Sequence, residues 1–565
     1  MTFRIKDQEY SYLLAAALFS IVIVIPIIFI GIPDTIDLPQ HFRFADAYYS
    51  SIINGDWFPG WAGNENFGYG DIGIRFYPPL AYYFLAFGRL LTGNWYDATW
   101  LTFVFWMLAG SAGIYYWSRI WFSVKESSFI AVIYVLIPFH LNQLYTGFNQ
   151  FSELAATSLL TVCFAFLSRV IRDGKLPHII GLSASYALLM ITHLPTAIVG
   201  SISLFILFIV SVRKQRIGKQ LLHCGIAITV SVLATSFYWV RLISEMKWLN
   251  HEDERYTKGY FDFAGNLFPL TYHIVNKPTY IYSILDLIVS FTMLAFISAI
   301  VYKIYKRSDP DITEFSRSVF TTVIPVGLFA FFMFTPLSKP LWQIVTPLQK
   351  IQFPIRWMPI AAICGAVTFG ASVIYLKKSG IFKKRIWFHS FLIFSLTVLL
   401  FDFTYILHPS SYIPLQREKF ESKIEDLPKS QSFFYWWTVW SAQEALSTKQ
   451  NLSTDERGAN ITSWQREEKS FTIAPGKPQR VRVAVFYYPF WNAEVNGEKI
   501  EIEKDESGAI LVPVPAGESR VSLTFREPLK NRIAEYVSVF SWILLLFGIC
   551  IAAVKFNFRG LRSLK

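Results

Sequence analysis

Apolar runs of about 20 residues recur along this chain, and they limit its fold more than any other feature does. A helix rises about 1.5 Å per residue, so a run of this length crosses the hydrocarbon core of a bilayer. The sequence therefore predicts an all-α polytopic membrane protein with about 12 transmembrane helices. The predicted spans are 11–32, 97–118, 128–145, 151–169, 178–193, 195–211, 220–243, 279–302, 317–336, 357–376, 386–403 and 535–554.

The composition supports this class and argues against a nucleic-acid-binding protein. Charged residues make up 16% of the chain, whereas soluble domains carry about 25%. The formal net charge is +12, but the lysines and arginines cluster in short segments between the apolar runs. Such clusters mark cytoplasmic loops, so we predict that both termini are cytoplasmic and that no nucleic acid binds. The basic segments are 169–175, 213–219, 303–307, 377–385 and 555–565.

Residues 79–91 are apolar but too few to cross a bilayer, since a span needs about 17–25 residues. Counting this segment as a span would also place the two basic ends of the chain on opposite sides of the membrane. We therefore predict a re-entrant helix or a helix on the membrane surface. With that choice, the loop 33–96 and the segment 404–534 lie outside the cytoplasm.

The outer segment 404–534 differs from the rest of the chain in its hydrophobic pattern. Apolar and polar residues alternate with a period of two at 480–486 and 509–515, as they do in half-buried strands. Asn496-Gly497 is a strong hairpin signal, because both turn positions need a positive φ. A small extracytoplasmic β-sandwich is therefore predicted. The predicted domains are 1–403 (transmembrane), 404–534 (β-rich) and 535–565 (last helix and basic tail).

The first outer loop, 33–96, concentrates polar and aromatic residues just outside a span. Asp37 precedes an amphipathic stretch at 38–53. It is either the N-cap of a surface helix, with Gln40 completing a capping box, or a functional carboxylate. A transferase would use it as a general base that takes the proton of an acceptor hydroxyl. His41 follows one helical turn later, where it holds a metal or a pyrophosphate, tunes Asp37, or is an ordinary interfacial histidine.

Five further residues are candidates on the same side of the membrane. Trp57 and Trp61 either anchor the loop at the membrane interface or stack on sugar rings. Glu153 starts a span, where it either pairs with the helix dipole or contributes an acid to a site. His193 sits in a tight turn between two spans. Arg356 lies at the outer mouth of a span, where it either contacts a phosphate or extends its charged end to water.

The spacing of cysteines and carboxylates predicts no metal site. The four cysteines all fall inside apolar runs and lack the spacing of metal ligands. The first outer loop contains no Asp-x-Asp or Glu-x-Asp pair. The sequence therefore does not support a divalent cation, and the cofactor stays unassigned.

Seven short motifs follow one another along the chain: Asp37-Leu-Pro-Gln-His41-Phe-Arg43, Gly55-Asp-Trp-Phe-Pro-Gly-Trp61, Gly68-Tyr-Gly70, Phe76-Tyr-Pro-Pro-Leu80, Glu153-Leu-Ala155, His193-Leu-Pro-Thr-Ala197 and Gln352-Phe-Pro-Ile-Arg356-Trp357. With these motifs the chain resembles the bacterial GT-C-like integral membrane glycosyltransferases labelled "6-pyruvoyl-tetrahydropterin synthase-related". Residues 487–497 look like the outer β-domain of related GT-C-like proteins. No zinc-enzyme pattern of the kind that the label suggests is present in the sequence.

This resemblance implies a GT-C helical core with Asp37 in the position of the first-loop catalytic aspartate. It implies inverting transfer of a sugar from a polyprenyl-phosphate carrier to a cell-envelope glycan or lipid, outside the bacterial inner (plasma) membrane. The expected partners are then a lipid-linked sugar donor, a glycan or lipid acceptor and membrane lipid. Arg356 and His41 would hold the donor phosphate, and the β-domain would bind or orient the acceptor. The implied substrate-binding residues are His41, Arg43, Trp57, Trp61, Tyr77, Glu153, His193 and Arg356.

Two non-enzymatic alternatives stay open at this point. One is a lipid or glycan transporter, and the other is an envelope-assembly scaffold whose β-domain is an interaction surface. A transporter is expected to carry ionisable groups at bilayer depth. The sequence has few of them, with Asp286 and Arg241 near span ends, and this favours the enzyme over the transporter.

Single cysteines labelled from outside intact cells test the predicted topology, in a variant without the four native cysteines. We expect a membrane-impermeant maleimide to label Ser507→Cys, because 404–534 is predicted to lie outside. Ser379→Cys should stay unlabelled until the membrane is permeabilised. The reverse pattern would invert the topology.

Overall fold

The computed structural model describes residues 7–35, 37–145, 150–251, 258–267, 310–378 and 413–562. Its helices pack into a bundle, and a region of β-sheet follows near the C-terminus. The predicted class, a helical membrane protein with a C-terminal β-region, is therefore confirmed.

The helices and strands of the described residues have the following bounds. The helices are α1 (Asp7–Val22), α2 (Ile25–Ile30), α3 (Leu38–Ile53), α4 (Gly73–Phe76), α5 (Leu80–Thr92), α6 (Trp95–Ser118), α7 (Val124–Val135), α8 (Pro138–Tyr145), α9 (Gln150–Asp173), α10 (Leu176–Met190), α11 (Leu194–Ser211), α12 (Ile217–Ala234), α13 (Ser236–Glu245), α14 (Pro310–Phe334), α15 (Lys339–Ile344), α16 (Thr346–Gln349), α17 (Met358–Lys378), α18 (Arg417–Glu425) and α19 (Leu529–Arg562). The strands are β1 (Ile32–Pro33), β2 (Pro414–Leu415), β3 (Leu452–Ser453), β4 (Ala459–Trp464), β5 (Glu468–Ile473), β6 (Gln479–Phe486), β7 (Trp491–Val495), β8 (Glu498–Ile500), β9 (Glu503–Lys504), β10 (Ala509–Val514) and β11 (Ser519–Phe525).

Seven of the described helical segments are long and apolar enough to cross a membrane, and two bent pairs raise the number to nine if each is one span. The predicted spans at 279–302 and 386–403 lie outside the described residues, so the count of about 12 stays a prediction. The seven segments are Glu9–Ile30, Trp95–Ser118, Phe151–Asp173, Leu194–Ser211, Lys214–Ala234, Pro354–Tyr375 and Leu529–Ala552.

The run predicted as one span at 220–243 is divided into α12 and α13 around Thr235. The hydroxyl of Ser538, on α19, lies in the break. Its oxygen accepts a hydrogen bond from the backbone N–H of Phe237 at 2.9 Å and lies 3.5 Å from the carbonyl oxygen of Leu233. In a continuous helix these two backbone groups would bond to each other. The predicted span 220–243 therefore corresponds to a helix of span length that ends at Ala234 and to a second helix after it, and a side chain from a distant helix occupies the break.

The apolar segment predicted not to cross the bilayer forms α5, which has 13 residues. At about 1.5 Å per residue it is about 20 Å long, which is shorter than a hydrocarbon core of about 30 Å. It ends at Gly93, whose φ of 76° is the left-handed conformation that often ends helices. The length of α5 agrees with a re-entrant or surface helix, and its position in a membrane stays a prediction.

Two antiparallel sheets make up the β-region, with strand orders β4-β5-β11-β7-β8 and β3-β6-β10-β9. Asn496 and Gly497 form the turn between β7 and β8 with φ values of 52° and 88°, as their hairpin signal predicts. The strands of the two sheets begin only at Leu452. Within the predicted 404–534 domain, residues 417–447 instead form α18 and short 3₁₀ turns that pack on the first loop.

Strands β1 and β2 tie the start of the first loop to the start of the C-terminal region. Ile32 pairs with Leu415, and Pro33 pairs with Pro414. Gly31, with a φ of 123°, precedes this pair, and a Cβ atom there would lie 2.7 Å from the carbonyl oxygen of Leu415. Only glycine permits both this backbone conformation and this close approach.

Arg75, in α4, is fully buried where the first loop meets α13, α19 and the β-region. Its guanidinium donates to Glu245 at 2.7 Å and to the two carboxylate oxygens of Glu527 at 2.5 and 3.1 Å. Asn531 donates to both carboxylates, at 2.8 and 2.6 Å. The hydroxyl of Tyr488 donates to Glu245 at 2.7 Å, and its ring lies 5.4 Å from the Arg75 guanidinium. The buried guanidinium of Arg75 is therefore surrounded by partners from α13, from α19 and the segment before it, and from the β-region.

Arg241 extends this network at the same junction. It donates to Glu535 at 2.6 Å and to two backbone carbonyls of the first loop. Burial alone would raise the pKa of Glu527, but Arg241 and Arg75 outweigh it and lower that pKa to about 2. Glu527 is therefore ionised and paired at neutral pH.

Arg75→Met tests how far this junction stabilises the fold. Removing one partner of a buried ion pair costs about 3–5 kcal/mol, because the remaining charge stays buried. Arg417→Met is the matched control, since Arg417 pairs with Asp97 at a half-exposed site and such pairs contribute about 0–1 kcal/mol. We expect losses of unfolding free energy in these two ranges, measured by tryptophan fluorescence in detergent. Equal losses would show that the junction does not depend on Arg75.

Candidate functional site

Asp37 is the N-cap residue of α3, and its carboxylate makes no capping hydrogen bond. The backbone N–H of Leu38 bonds instead to Oγ1 of Thr35 at 3.2 Å. The amide oxygen of Gln40 accepts from the backbone N–H of Phe433 at 3.3 Å. The predicted capping box is therefore not formed, and the half-buried carboxylate of Asp37 is not committed to the helix.

His41, one turn further along α3, is buried against α5. Its Nδ1 lies 2.7 Å from the hydroxyl oxygen of Tyr82, and its ring centre lies 6.2 Å from that of Tyr77 and 5.4 Å from that of Phe151. Burial lowers the pKa of His41 to about 4, although Asp37 acts in the opposite direction. The imidazole is therefore neutral at neutral pH and forms hydrogen bonds without adding a charge.

Tyr77, between α4 and α5, connects the first loop to two other parts of the chain. Its hydroxyl lies 3.2 Å from Oγ of Ser152 on α9, and its ring centre lies 5.5 Å from that of Trp436. Burial raises the pKa of Tyr77, and Asp37 acts in the same direction, while Ser152 and Arg356 oppose it. The carboxylate of Asp37 and the guanidinium of Arg356 therefore both lie within electrostatic reach of this phenol.

Arg356 lies in the short turn before α17 and is half-buried. One guanidinium nitrogen donates to the carbonyl of Ile351, and the guanidinium lies 5.1 Å from the ring centre of Phe353. Its Nε is buried and has no hydrogen-bond partner among the described residues. The charge of Arg356 interacts with the carboxylates of Glu153 and Asp37. Arg356 thus keeps a buried donor that none of the described residues satisfies.

Glu153 and His193 approach the same place from two further helices. Glu153 is buried in the first turn of α9. His193 is the buried N-cap residue of α11, and its Nδ1 lies 2.8 Å from Oγ1 of Thr196. Burial lowers the pKa of His193 well below its usual range, and the positive charge of Arg356 adds to this shift. His193, like His41, is therefore neutral at neutral pH.

The side chains that come together share one structural origin, because they lie at or near the starts of helices. Asp37 precedes α3, Glu153 is in the first turn of α9, His193 precedes α11 and Arg356 precedes α17. Each helix start carries about half a positive charge from unpaired backbone N–H groups, and these ends favour an anion. The helix-start cluster, as we call it, consists of Asp37, His41, Tyr77, Glu153, His193 and Arg356.

Arg43, predicted to bind substrate, lies outside the helix-start cluster. It follows His41 by two residues, and two helical steps rotate it by about 200° to another face of α3. There it is buried, pairs with Glu65, and donates to the hydroxyl oxygen of Ser430 at 2.6 Å and to the carbonyl oxygen of Gln431 at 3.2 Å. Arg43 joins α3 to the first loop and to the C-terminal region.

The two tryptophans predicted to bind substrate also lie outside the cluster. Trp61 is fully buried, with its ring centre 5.5 Å from those of Trp491 and Phe525. It belongs to the core between the first loop and the β-region, so the prediction that it contacts a substrate is corrected. Trp57 is 52% exposed, and its ring centre lies 6.1 Å from that of Phe87 on α5.

Two tyrosines at the cluster were missed by sequence reasoning. Tyr82 bonds to His41 and lies in the apolar segment 79–91, from which no site residue was predicted. Tyr435 interacts with Arg356 and lies in the run of aromatic residues 433–437. That run, in an otherwise polar stretch, was the available signal.

The helix-start cluster combines a proton acceptor, a cation and neutral hydrogen-bonding groups. Asp37 offers the carboxylate, Arg356 offers the positive charge, and His41 and Tyr77 offer neutral polar atoms. Within the described ranges, no group of three or more His, Cys, Asp and Glu side chains is placed to hold a metal ion. Among the described residues, the cluster therefore supports acid–base chemistry beside a bound anion.

The fold and this cluster define a polytopic membrane protein with a polar site among its helix starts. A family model described as a 6-pyruvoyl-tetrahydropterin synthase related domain, a membrane protein, matches residues 74–410. The match covers more than half of the chain, so the chain belongs to this family, and the resemblance seen in the motifs is confirmed. A search of curated protein sequences finds no match.

Three solved structures are similar to this chain at low identity. The archaeal oligosaccharyltransferase AglB from Archaeoglobus fulgidus, in complex with an inhibitory peptide and a dolichol-phosphate, is 12% identical, with a TM-score of 0.37. The match covers 74% of this chain and 57% of that chain, so this chain spans little more than half its length. The apo oligosaccharyltransferase of Archaeoglobus fulgidus gives the same identity and coverage, with a TM-score of 0.41. ArnT from Cupriavidus metallidurans, in the apo state, is 12% identical, with a TM-score of 0.33. That match covers 66% of this chain and 78% of that chain.

His41→Gln tests the neutral imidazole in the cluster. The pKa of His41 is about 4 in the folded protein and about 6.5 in an unfolded chain, so the unfolded chain binds more protons between these pH values. The free energy of unfolding should therefore decrease by about 3 kcal/mol through this residue as the pH falls from about 6.5 to about 4. We expect a smaller decrease in His41→Gln, measured by thermal unfolding in detergent from pH 4 to 7.5. Identical pH dependence in both proteins would contradict the buried neutral state.

Proposed function

We propose that this protein is an inverting glycosyltransferase of the GT-C type. It would move a sugar from a polyprenyl-phosphate carrier to a cell-envelope glycan or lipid acceptor. The observation that carries this proposal is the helix-start cluster. In it, a carboxylate that makes no capping hydrogen bond lies within electrostatic range of an arginine whose buried Nε has no hydrogen-bond partner among the described residues. The class of donor, a polyprenyl-phosphate sugar, is proposed from the family resemblance in the motifs.

In the proposed reaction the acceptor hydroxyl oxygen attacks the anomeric carbon of the donor sugar. The bond between that carbon and the phosphate oxygen breaks, and polyprenyl phosphate leaves with the bonding electrons. Asp37 accepts the hydroxyl proton, which raises the nucleophilicity of the oxygen as the new bond forms. One displacement at the anomeric carbon inverts its configuration.

The cluster also offers positive charge and hydrogen-bond donors that would stabilise the leaving phosphate. Arg356 would donate charge-assisted hydrogen bonds to the phosphate oxygens, which are stronger than bonds between neutral groups. The helix starts add partial positive charge, and neutral His41 and His193 add hydrogen bonds without repelling Arg356. Glu153 interacts with Arg356 and would hold its side chain in place.

The side of the membrane is part of this proposal. The basic segments between the predicted spans favour the outside for the first loop and the β-region, and these two parts contact each other in the structure. A lipid-linked donor presents its phosphate at the membrane surface, and in this proposal the starts of α3, α9, α11 and α17 lie at that surface and meet the phosphate. The proposed location is therefore the outer face of the bacterial inner membrane.

Asp37→Asn tests the proposed base. Asparagine keeps the shape, and the helix loses no cap, because the Asp37 side chain makes no capping bond. We expect transfer to decrease by roughly 10²–10⁴-fold, measured in proteoliposomes with a panel of polyprenyl-phosphate sugars. Asp97→Asn is the matched control, since Asp97 also lies in the first turn of a helix but pairs with Arg417.

The outcome also separates the enzyme from its alternatives. A transporter or an assembly scaffold has no need of a base at position 37, so Asp37→Asn should then behave like Asp97→Asn. Full transfer by Asp37→Asn would remove this mechanism, and Glu153→Gln would become the next variant to measure. Protein yield and membrane insertion serve as the folding control for each variant.

A further inference from the structure

The chain turns sharply where α14 ends, and the next helical segment leaves almost at a right angle. Ser318–Phe334 and Pro336–Ile344 are together apolar enough for a membrane span, but they are bent by 85°. α14 has 25 residues, enough to cross a bilayer, and spanning helices are tilted by about 20° from the bilayer normal. A segment at 85° to such a helix runs nearly parallel to the membrane surface.

Hydrogen bonds from two side chains fix this bend. The carbonyl oxygen of Met333, near the end of α14, accepts from the hydroxyl of Ser338 at 2.9 Å and from the indole N–H of Trp342 at 2.9 Å. The last carbonyls of a helix lack helical partners, so these side chains satisfy one of them. Trp342 is fully buried and stacks on Phe263 with ring centres 5.5 Å apart. Ser338 and Trp342, one helical turn apart, therefore set which face of the segment is turned toward the protein.

The opposite face of the segment is apolar and uncovered. Leu337 is 77% exposed and Ile344 is 79% exposed, and both lie away from the side that carries Trp342. Val345, the next residue, is 38% exposed. In a helix that packs on a protein core, the large apolar side chains point inward. This segment has the reverse arrangement, which contact with hydrocarbon would stabilise.

Positive charge borders the apolar face. Segment 336–350 contains no Asp or Glu, and Lys339 and Lys350 are both exposed. Neither lysine forms an ion pair with a carboxylate of the described residues. At 3.6 residues per turn, Lys339 and Gln343 project from one flank of the helix and not from its apolar face. An apolar face with lysine on the polar flank is typical of a helix at the boundary between lipid headgroups and acyl chains.

We infer that segment 336–350 docks on the phospholipid surface of the membrane. Leu337 and Ile344 lie among the upper acyl chains, and Lys339 and Lys350 reach the lipid phosphates. Two observations select lipid over a second protein as the occupant of the exposed face. The segment leaves a span-length helix at 85°, which brings it against the membrane surface, and its positive charge complements the phosphates that phospholipids carry.

A short connection joins the docked segment to the helix-start cluster. Ile351, immediately after Lys350, is buried, and its carbonyl oxygen accepts a hydrogen bond from the guanidinium of Arg356. Docking of the segment at the phosphates therefore holds Arg356 near the same depth, where a lipid-linked donor carries its phosphate. This consequence rests on the proposed function, whereas the docking itself does not.

Spin labels on single cysteines measure the docking in the full-length chain without its four native cysteines, placed in nanodiscs of phosphatidylcholine. Power saturation of the EPR signal by oxygen and by a water-soluble nickel chelate gives the depth of each label. We expect Leu337→Cys and Ile344→Cys to report about 5–10 Å below the phosphates, and Lys350→Cys to report the level of the phosphates. Gln343→Cys is the matched control, because Gln343 is exposed on the polar flank, and its label should lie above that of its neighbour Ile344.

Three results would overturn the docking. Greater access of nickel than of oxygen at positions 337 and 344 would place the face in water. Exclusion of both reagents there would mean that protein covers the face. Labels near the bilayer centre would mean that the segment is re-entrant. Thermal unfolding like that of the parent protein shows that each variant is folded, and the exposed positions tolerate the change.

Leu337→Gln combined with Ile344→Gln tests the consequence for the donor. Polar groups on the docking face weaken its insertion, so we expect the KM for a polyprenyl-phosphate sugar to rise about threefold to tenfold with kcat little changed. Ile461→Gln is the control, since Ile461 is an exposed apolar residue of β4, and it should act like the parent protein. An unchanged KM in the double variant would show that docking does not position the donor site.

Asp37→Asn separates this inference from the proposed function. Asp37 is not part of the docked segment, so its loss should lower kcat and leave the label depths unchanged. Labels at the expected depths in a parent protein that transfers no sugar would support the docking and refute the proposed function. Sugar transfer by a parent protein whose labels lie in water would support the function and refute the docking.

Discussion

The buried guanidinium of Arg75 is the contact on which the arrangement of the other parts depends. A charge without water needs partners of opposite charge, and removing them is costly. Glu245 comes from the end of α13, and Glu527 comes from the connection between the β-region and α19. The charge is thus neutralised only when the first loop, the helices and the β-region are assembled. Tyr77 follows Arg75 by two residues, so the same junction positions the helix-start cluster.

Features that depend on neighbouring residues could be predicted from the sequence. The length of apolar runs predicted the membrane helices, and the Asn496-Gly497 pair predicted a turn whose positive φ values the structure shows. Asp37, His193 and Arg356 were found because each stands at the end of an apolar run, where a polar residue is conspicuous. The structure brings these helix starts together. A search for polar residues next to apolar runs therefore found several members of one cluster.

Features that depend on distant contacts could not be predicted. Ser538 divides the span around Thr235 from a position far along the chain, and no pattern within 220–243 records it. Trp61 looked like a surface aromatic, although its burial depends on strands that lie far away in sequence. Tyr82 was not predicted as a site residue because its hydroxyl finds its partner, His41, only in the folded protein. Each of these outcomes is set by packing between elements rather than by local propensity.

The two neutral imidazoles have a consequence for the helix-start cluster, whose proposed location is outside the cytoplasm. The pH of the medium outside a cell varies. A histidine with an unperturbed pKa would become protonated, and positively charged, when that medium turns acidic. His41 and His193 are held uncharged by burial, so mild acidification does not add cations beside Arg356. Protonation of these two histidines therefore does not change the electrostatic field at the cluster in mildly acidic medium. An anion bound there would experience the same contribution from them as at neutral pH.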